Sequence, residues 1–115
     1  MKNFDVLATQ LRAMSHPVRL AILDHLRHGE ACVCHFEALL DKRQAYISQQ
    51  LMTLREAGLV ISRREGLQVY YRLADADAAH LVDTVCGPTV EIGLDVLDGC
   101  TCPTCVCKTA PALGA

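Results

Sequence analysis

Residues 33–73 read VCHFEALLDKRQAYISQQLMTLREAGLVISRREGLQVYYRL, and this stretch decides the fold. Phe36, Leu39 and Leu40 recur three and four residues apart, so 33–40 predicts a short helix with one apolar stripe. Asp41-Lys42-Arg43-Gln44 is polar and short, as a turn should be. A second helix is expected from about Gln44 to Ala57, with Ile47, Leu51 and Leu54 inward and Gly58 as its stop. The period then becomes alternating: Val60 to Arg64 and Leu67 to Leu73 read as strands, with Val69, Tyr71 and Leu73 on one side and Gln68, Tyr70 and Arg72 on the other. Glu65-Gly66 is the expected hairpin turn, because glycine tolerates positive φ. Helix, short turn, helix and hairpin in that order describe a winged helix-turn-helix, whose second helix enters a major groove while the wing approaches the flanking backbone.

Upstream, Val6, Leu7, Leu11 and Met14 give a first helix that Ser15-His16-Pro17 interrupts. Pro17 is tolerated in the first turn of the next helix, expected to run to about His28 with Val18, Ile22, Leu23 and Leu26 on one side and Gly29 as its stop. Downstream, an Asp within Ala74-Asp75-Ala76-Asp77 can cap a helix carrying the stripe Ala78, Leu81, Val82, Val85. Cys86-Gly87-Pro88 should break it, with one further helix over 89–97 before a Cys-rich tail. The expected organisation is one mainly α domain with a small β-hairpin over 1–98, and a tail over 99–115.

A chain of 115 residues has room for one modest core and none for a large cleft between lobes. Aromatics make up only 4% and tryptophan is absent, so Leu, Ile, Val and Ala must build the core, a palette that favours helices. No apolar run is long enough to span a bilayer, and Met1-Lys2-Asn3-Phe4-Asp5 lacks the layout of a signal peptide, so a cytoplasmic protein without a membrane partner is expected. The net charge is −2, but residues 42–72 set Lys42, Arg43, Arg55, Arg63, Arg64 and Arg72 against Glu56 and Glu65, a local +4 that suits phosphates. Charge alone fits a solvated surface equally well. The fold context adds more: Gln44, Tyr46, Ser48 and Gln49 are placed to meet base edges, while Arg43, Arg63 and Arg64 are placed to meet phosphates.

Six of the seven cysteines fall in two tight clusters, Cys32-Val33-Cys34 and Cys100, Cys102, Cys105, Cys107, rather than at spacings that staple a secreted fold. Residues two apart point to opposite sides of a helix, so Cys32 and Cys34 converge on one ion only if the chain there is extended or just entering a helix. In a reducing compartment such clusters bind soft metals or act in redox chemistry. Cys86, on the apolar side of its helix, reads as a small hydrophobe. His16, His25, His28 and His35 read as structural or exposed, with His35 close enough to Cys34 to affect it.

The runs Ser15-His16-Pro17-Val18-Arg19-Leu20, Ala31-Cys32-Val33-Cys34, Ile47-Ser48-Gln49-Gln50-Leu51, Leu54-Arg55-Glu56-Ala57-Gly58-Leu59-Val60, Arg63-Arg64-Glu65-Gly66 and Tyr70-Tyr71-Arg72-Leu73 together resemble the ArsR/SmtB family of bacterial metal-sensing repressors over roughly residues 5–85. The resemblance implies a homodimer joined through its first and last helices. It also implies operator binding without inducer and release when a metal or metalloid binds. Cys32 and Cys34 match the thiolate site of the arsenic/antimony and cadmium/lead sensors. Glu37 stands where the arsenic sensors often have a third Cys, and the N-terminal cysteines of the cadmium sensors are missing, so completion is expected from Cys100, Cys102, Cys105 or Cys107. Arsenite or antimonite takes three thiolates, cadmium or zinc four, and lead three; all suit sulfur. The family's zinc site is not carried over, because Asp77, His80 and Glu91 lack the second His and the spacing.

Two other readings stand beside this one. A repressor responding to oxidation or persulfide would join a front Cys to a tail Cys. A structural zinc or metal-buffering protein would have no operator. Cys102-Pro103-Thr104-Cys105 resembles a glutaredoxin-type string, but the α/β context such catalysis needs is absent from the pattern, so neither an enzyme nor a small organic substrate is expected.

Overall fold

The computed structural model describes residues 3–88. The expected helix over 89–97 and the four tail cysteines lie outside them. In chain order the elements are α1 (Phe4–Met14), α2 (Pro17–Leu26), β1 (Ala31–Cys32), α3 (Val33–Leu40), α4 (Gln44–Glu56), β2 (Val60–Glu65), β3 (Gln68–Leu73) and α5 (Ala76–Cys86). No helix among them is long and apolar enough to cross a membrane.

The helix boundaries have local causes. Asn3 caps α1 by accepting from the amides of Asp5 and Val6, and His16 caps α2 through Nδ1, with Pro17 at the first helical position. Asp75 caps α5, its carboxylate accepting from the Ala78 amide at 2.8 Å. Asp41 turns the chain between α3 and α4 in the left-handed region at φ 52°, a conformation its short polar side chain tolerates. α2 ends at Leu26, two residues earlier than the periodicity suggests.

The sheet has three antiparallel strands in the order β1-β3-β2, so the wing gains a strand beyond the expected hairpin. Two residues carry too little pattern to read as a strand; Ala31 and Cys32 qualify only by pairing with Tyr71 and Tyr70. The hairpin loop is Gly66-Leu67, because Glu65 pairs with Gln68, and Gly66 supplies the positive φ of 60°. The expected Glu65-Gly66 turn would have set Arg63 opposite Gln68; the observed register sets it opposite Tyr70. Tyr70 is buried, on the side it shares with Gln68 and Arg72.

Ile22, Leu23, Leu26, Phe36, Ile47, Leu51, Leu54, Leu59 and Val82 form the centre of one core shared by α2, α3, α4 and α5. Met14 and Val82 turn into this core, whereas Phe4, Val6, Leu7 and Leu11 of α1 and Val85 of α5 stay exposed. A groove of about 490 Å³ runs between α1 and α5, with Val6, Leu7, Ala78 and Leu81 among its walls.

Candidate functional site

Cys32 sits at the junction the spacing requires. Its backbone is extended (φ −95°, ψ 168°) at the N-cap of α3, and Cys34 follows in the first helical turn. This change of conformation between positions 32 and 34 aims both side chains at one point, and their Sγ atoms approach to 2.6 Å. Cys32 is 1% exposed and Cys34 half-buried, so one thiol is anchored in the protein and the other is reachable. Two convergent thiols make half of a tetrahedral set or two members of a pyramidal one, and their softness fits the ions named above. Among the described residues no three His, Cys, Asp or Glu side chains gather into a metal site. Completion by Cys100, Cys102, Cys105 or Cys107 lies outside the described residues, as does Glu91.

Cys86 packs partly buried against the core, and burial, followed by the charge of Asp24, pushes its thiol up. Arg27, its neighbour, ties the end of α2 to the end of α5: it donates to Asp24, to Asp83 at 3.1 Å and to the Gly87 carbonyl at 2.6 Å. The exit from α5 is thereby anchored.

Next to Cys34, His35 is buried and its Nε2 meets His25 Nε2 at 2.7 Å. Such a hydrogen bond needs one ring nitrogen unprotonated. Burial, with His25 alongside, pushes His35 down to about 4, and burial also lowers His25. The sequence reading of these histidines as structural holds for the pair, whose contact across ten residues had no local signal.

α4 shows two faces. Ile47, Gln50, Leu51 and Leu54 are buried; Gln44, Ala45, Gln49 and Met52 are exposed, with Ser48 half-buried among them. Arg43 is exposed at the N-cap. Tyr46 lies at the boundary, packed on the core with the Lys42 ammonium 5.9 Å from its ring centroid. Gln50 is only 8% exposed and accepts from Arg19 Nη1 at 2.9 Å.

The wing arginines differ from each other. Arg64 is exposed and makes no ion pair among the described residues. Arg63 is held: its Nε and Nη2 donate to the two oxygens of Glu30 at 2.8 and 2.6 Å, its Nη1 donates to Glu65 at 2.9 Å, and its guanidinium carbon stands 4.8 Å from the Tyr70 ring centroid. This fork keeps the Glu30 carboxyl below its ordinary value, the hydrogen bond from Arg63 being the main cause. Glu30 escaped the sequence reading; it stands immediately before β1, two residues ahead of Cys32.

Residues 16–62 match the family model described as bacterial regulatory protein, arsR family. The chain is 45% identical over 84 residues to the biofilm growth-associated repressor of Agrobacterium fabrum, covering 73% of this chain and 72% of the relative. It is 51% identical over 47 residues to the arsenic resistance transcriptional regulator ArsR1 of Pseudomonas putida, 41% of this chain and 37% of that protein. Among solved structures, the homodimeric winged helix-turn-helix DNA-binding domain of Mb0332 from Mycobacterium bovis superposes with a TM-score of 0.68 at 36% identity, covering 71% of this chain and 76% of that one.

Proposed function

Because this chain belongs to the ArsR/SmtB family of bacterial transcriptional repressors, we propose that it is a cytoplasmic homodimer that holds a two-fold-related operator and lets go when a thiophilic ion occupies Cys32 and Cys34. The convergence of the two Sγ atoms at the N-cap of α3 carries this reading. α3 packs directly on α4, so the thiol pair and the reading helix share one rigid contact.

In the DNA-bound dimer each protomer sets α4 in a major groove. Gln44, Ser48 and Gln49 meet base edges, Tyr46 flanks them, and Arg43 and the wing meet phosphates. The exposed apolar residues of α1, together with Val85, supply the surface that a second copy covers. Cys32 and Cys34 supply two thiolates, and one or two of Cys100, Cys102, Cys105 and Cys107 complete the set for arsenite, antimonite, cadmium or lead, with zinc a further candidate. Drawing the tail onto the N-terminus of α3 tilts α3 and the helix packed on it. A coupling of about 1–3 kcal/mol per site suffices for a repressor to change occupancy.

Anaerobic fluorescence anisotropy on a duplex selected by the protein from a random pool tests this. The selected site should be two-fold symmetric and bound by two protomers, and antimonite or cadmium should release it. Release by an oxidant alone favours the second reading, in which the half-buried Cys34 thiol and a tail thiol lose two electrons and two protons to the oxidant and form a disulfide. Absence of duplex binding at low salt favours a metal-buffering protein.

A further inference from the structure

Resting on the reading above, we infer that Glu30 is a positioning residue that couples the thiol site to the wing through its clasp on Arg63. β1 is only two residues long and lies at the sheet edge, paired with β3 through Ala31 and Cys32, and the clasp adds a direct tie from its entry to β2. Cys32, Tyr70 and Arg63 are direct cross-strand partners and therefore share one face of the sheet. Above that row the Glu30–Arg63 fork spans β3 and joins the segment leading into β1 to β2.

The bidentate fork needs the carboxylate and guanidinium in register for both hydrogen bonds, so a shift of either partner weakens or opens it. Displacing Cys32 pulls on Glu30, two residues before it and adjoining β1. The clasp then shifts or opens, and two things change together: the position of the wing, and whether Arg63 answers to Glu30 or to phosphate. A contact that makes or breaks in this way links the two sites through one pair of side chains.

Coupling is reciprocal, so DNA must alter the thiol site as much as the thiol site alters DNA binding. The test is the rate of Cys34 alkylation by iodoacetamide, read by mass spectrometry on the full reduced chain with and without the selected duplex. In the wild type DNA should change the rate by about fivefold or more. Glu30→Gln should cut that change to about twofold or less while still melting near the wild-type temperature and binding the duplex; Glu30→Asp, which keeps the carboxylate, should restore most of it. Wild-type behaviour in Glu30→Gln overturns the inference, as does a DNA-independent rate in a wild type that cadmium still releases. A Glu30-dependent rate change in a protein that no ion releases leaves the clasp standing and refutes the ion as inducer.

Discussion

Arg19 fastens the reading helix to the rest of the domain by donating from Nη1 to the side-chain oxygen of Gln50 at 2.9 Å, while its Nε donates to the Ala13 carbonyl at 2.6 Å. One guanidinium thus joins the end of α1, the start of α2 and the middle of α4. Replacing Gln50 with Ala removes a partner of Arg19 in a part-buried site and should destabilise the protein by about 1 kcal/mol. Urea unfolding measures it. If Gln50 belonged instead to the DNA-reading face, the variant would lose affinity at unchanged stability.

The exposed side of α4 and the wing should fail in different ways. Gln44→Ala or Gln49→Ala should cost about 1–3 kcal/mol against the preferred duplex and little against a scrambled one, because base contacts carry the sequence information. Arg64→Ala should weaken both duplexes alike and lower the slope of log affinity against log salt by about one. Competition titrations at three salt concentrations separate these outcomes. A sequence-dependent loss for Arg64→Ala would reassign it to base reading.

Acid should weaken the fold through the His25–His35 pair. In the unfolded chain each imidazole titrates near 6.5; in the folded protein burial lowers both, His35 to about 4. The unfolded state therefore takes up protons first as pH falls. The stability these groups contribute is fully present above 6.5, declines below it, and is gone once His35 protonates in the folded state. The urea midpoint of the metal-free, reduced protein should fall steadily from pH 7 to pH 5, and His35→Gln should flatten the decline. Around the pair, His28 adds to the lowering of His25 and Asp24 opposes it.

Much of this molecule was legible because its signals are local. The stripes of α3 and α4, the breaks at Pro17, Gly58 and Gly87, and the alternation after Val60 depend on near neighbours, and they fixed the winged helix-turn-helix. The junction at Cys32 followed from geometry alone, since Cys-x-Cys converges only where an extended chain enters a helix. What escaped depends on long-range pairing. β1 exists only by pairing with β3, and the placing of Arg63 over Tyr70 depends on a register that moved by two residues when the loop proved to be Gly66-Leu67. Gln50 carries no local signal for burial, and only Arg19, thirty-one residues away, explains why it turns inward.

The central claim is that the thiol pair at the N-cap of α3 is the sensor. The most direct measurement is release of the selected duplex by antimonite and by cadmium, under anaerobic reducing conditions, from the wild type and from Cys34→Ser. The account predicts release from the wild type and at least about a tenfold loss of ion sensitivity in Cys34→Ser, with ion-free DNA affinity unchanged. Normal release from Cys34→Ser would contradict it and place the sensor elsewhere in the chain.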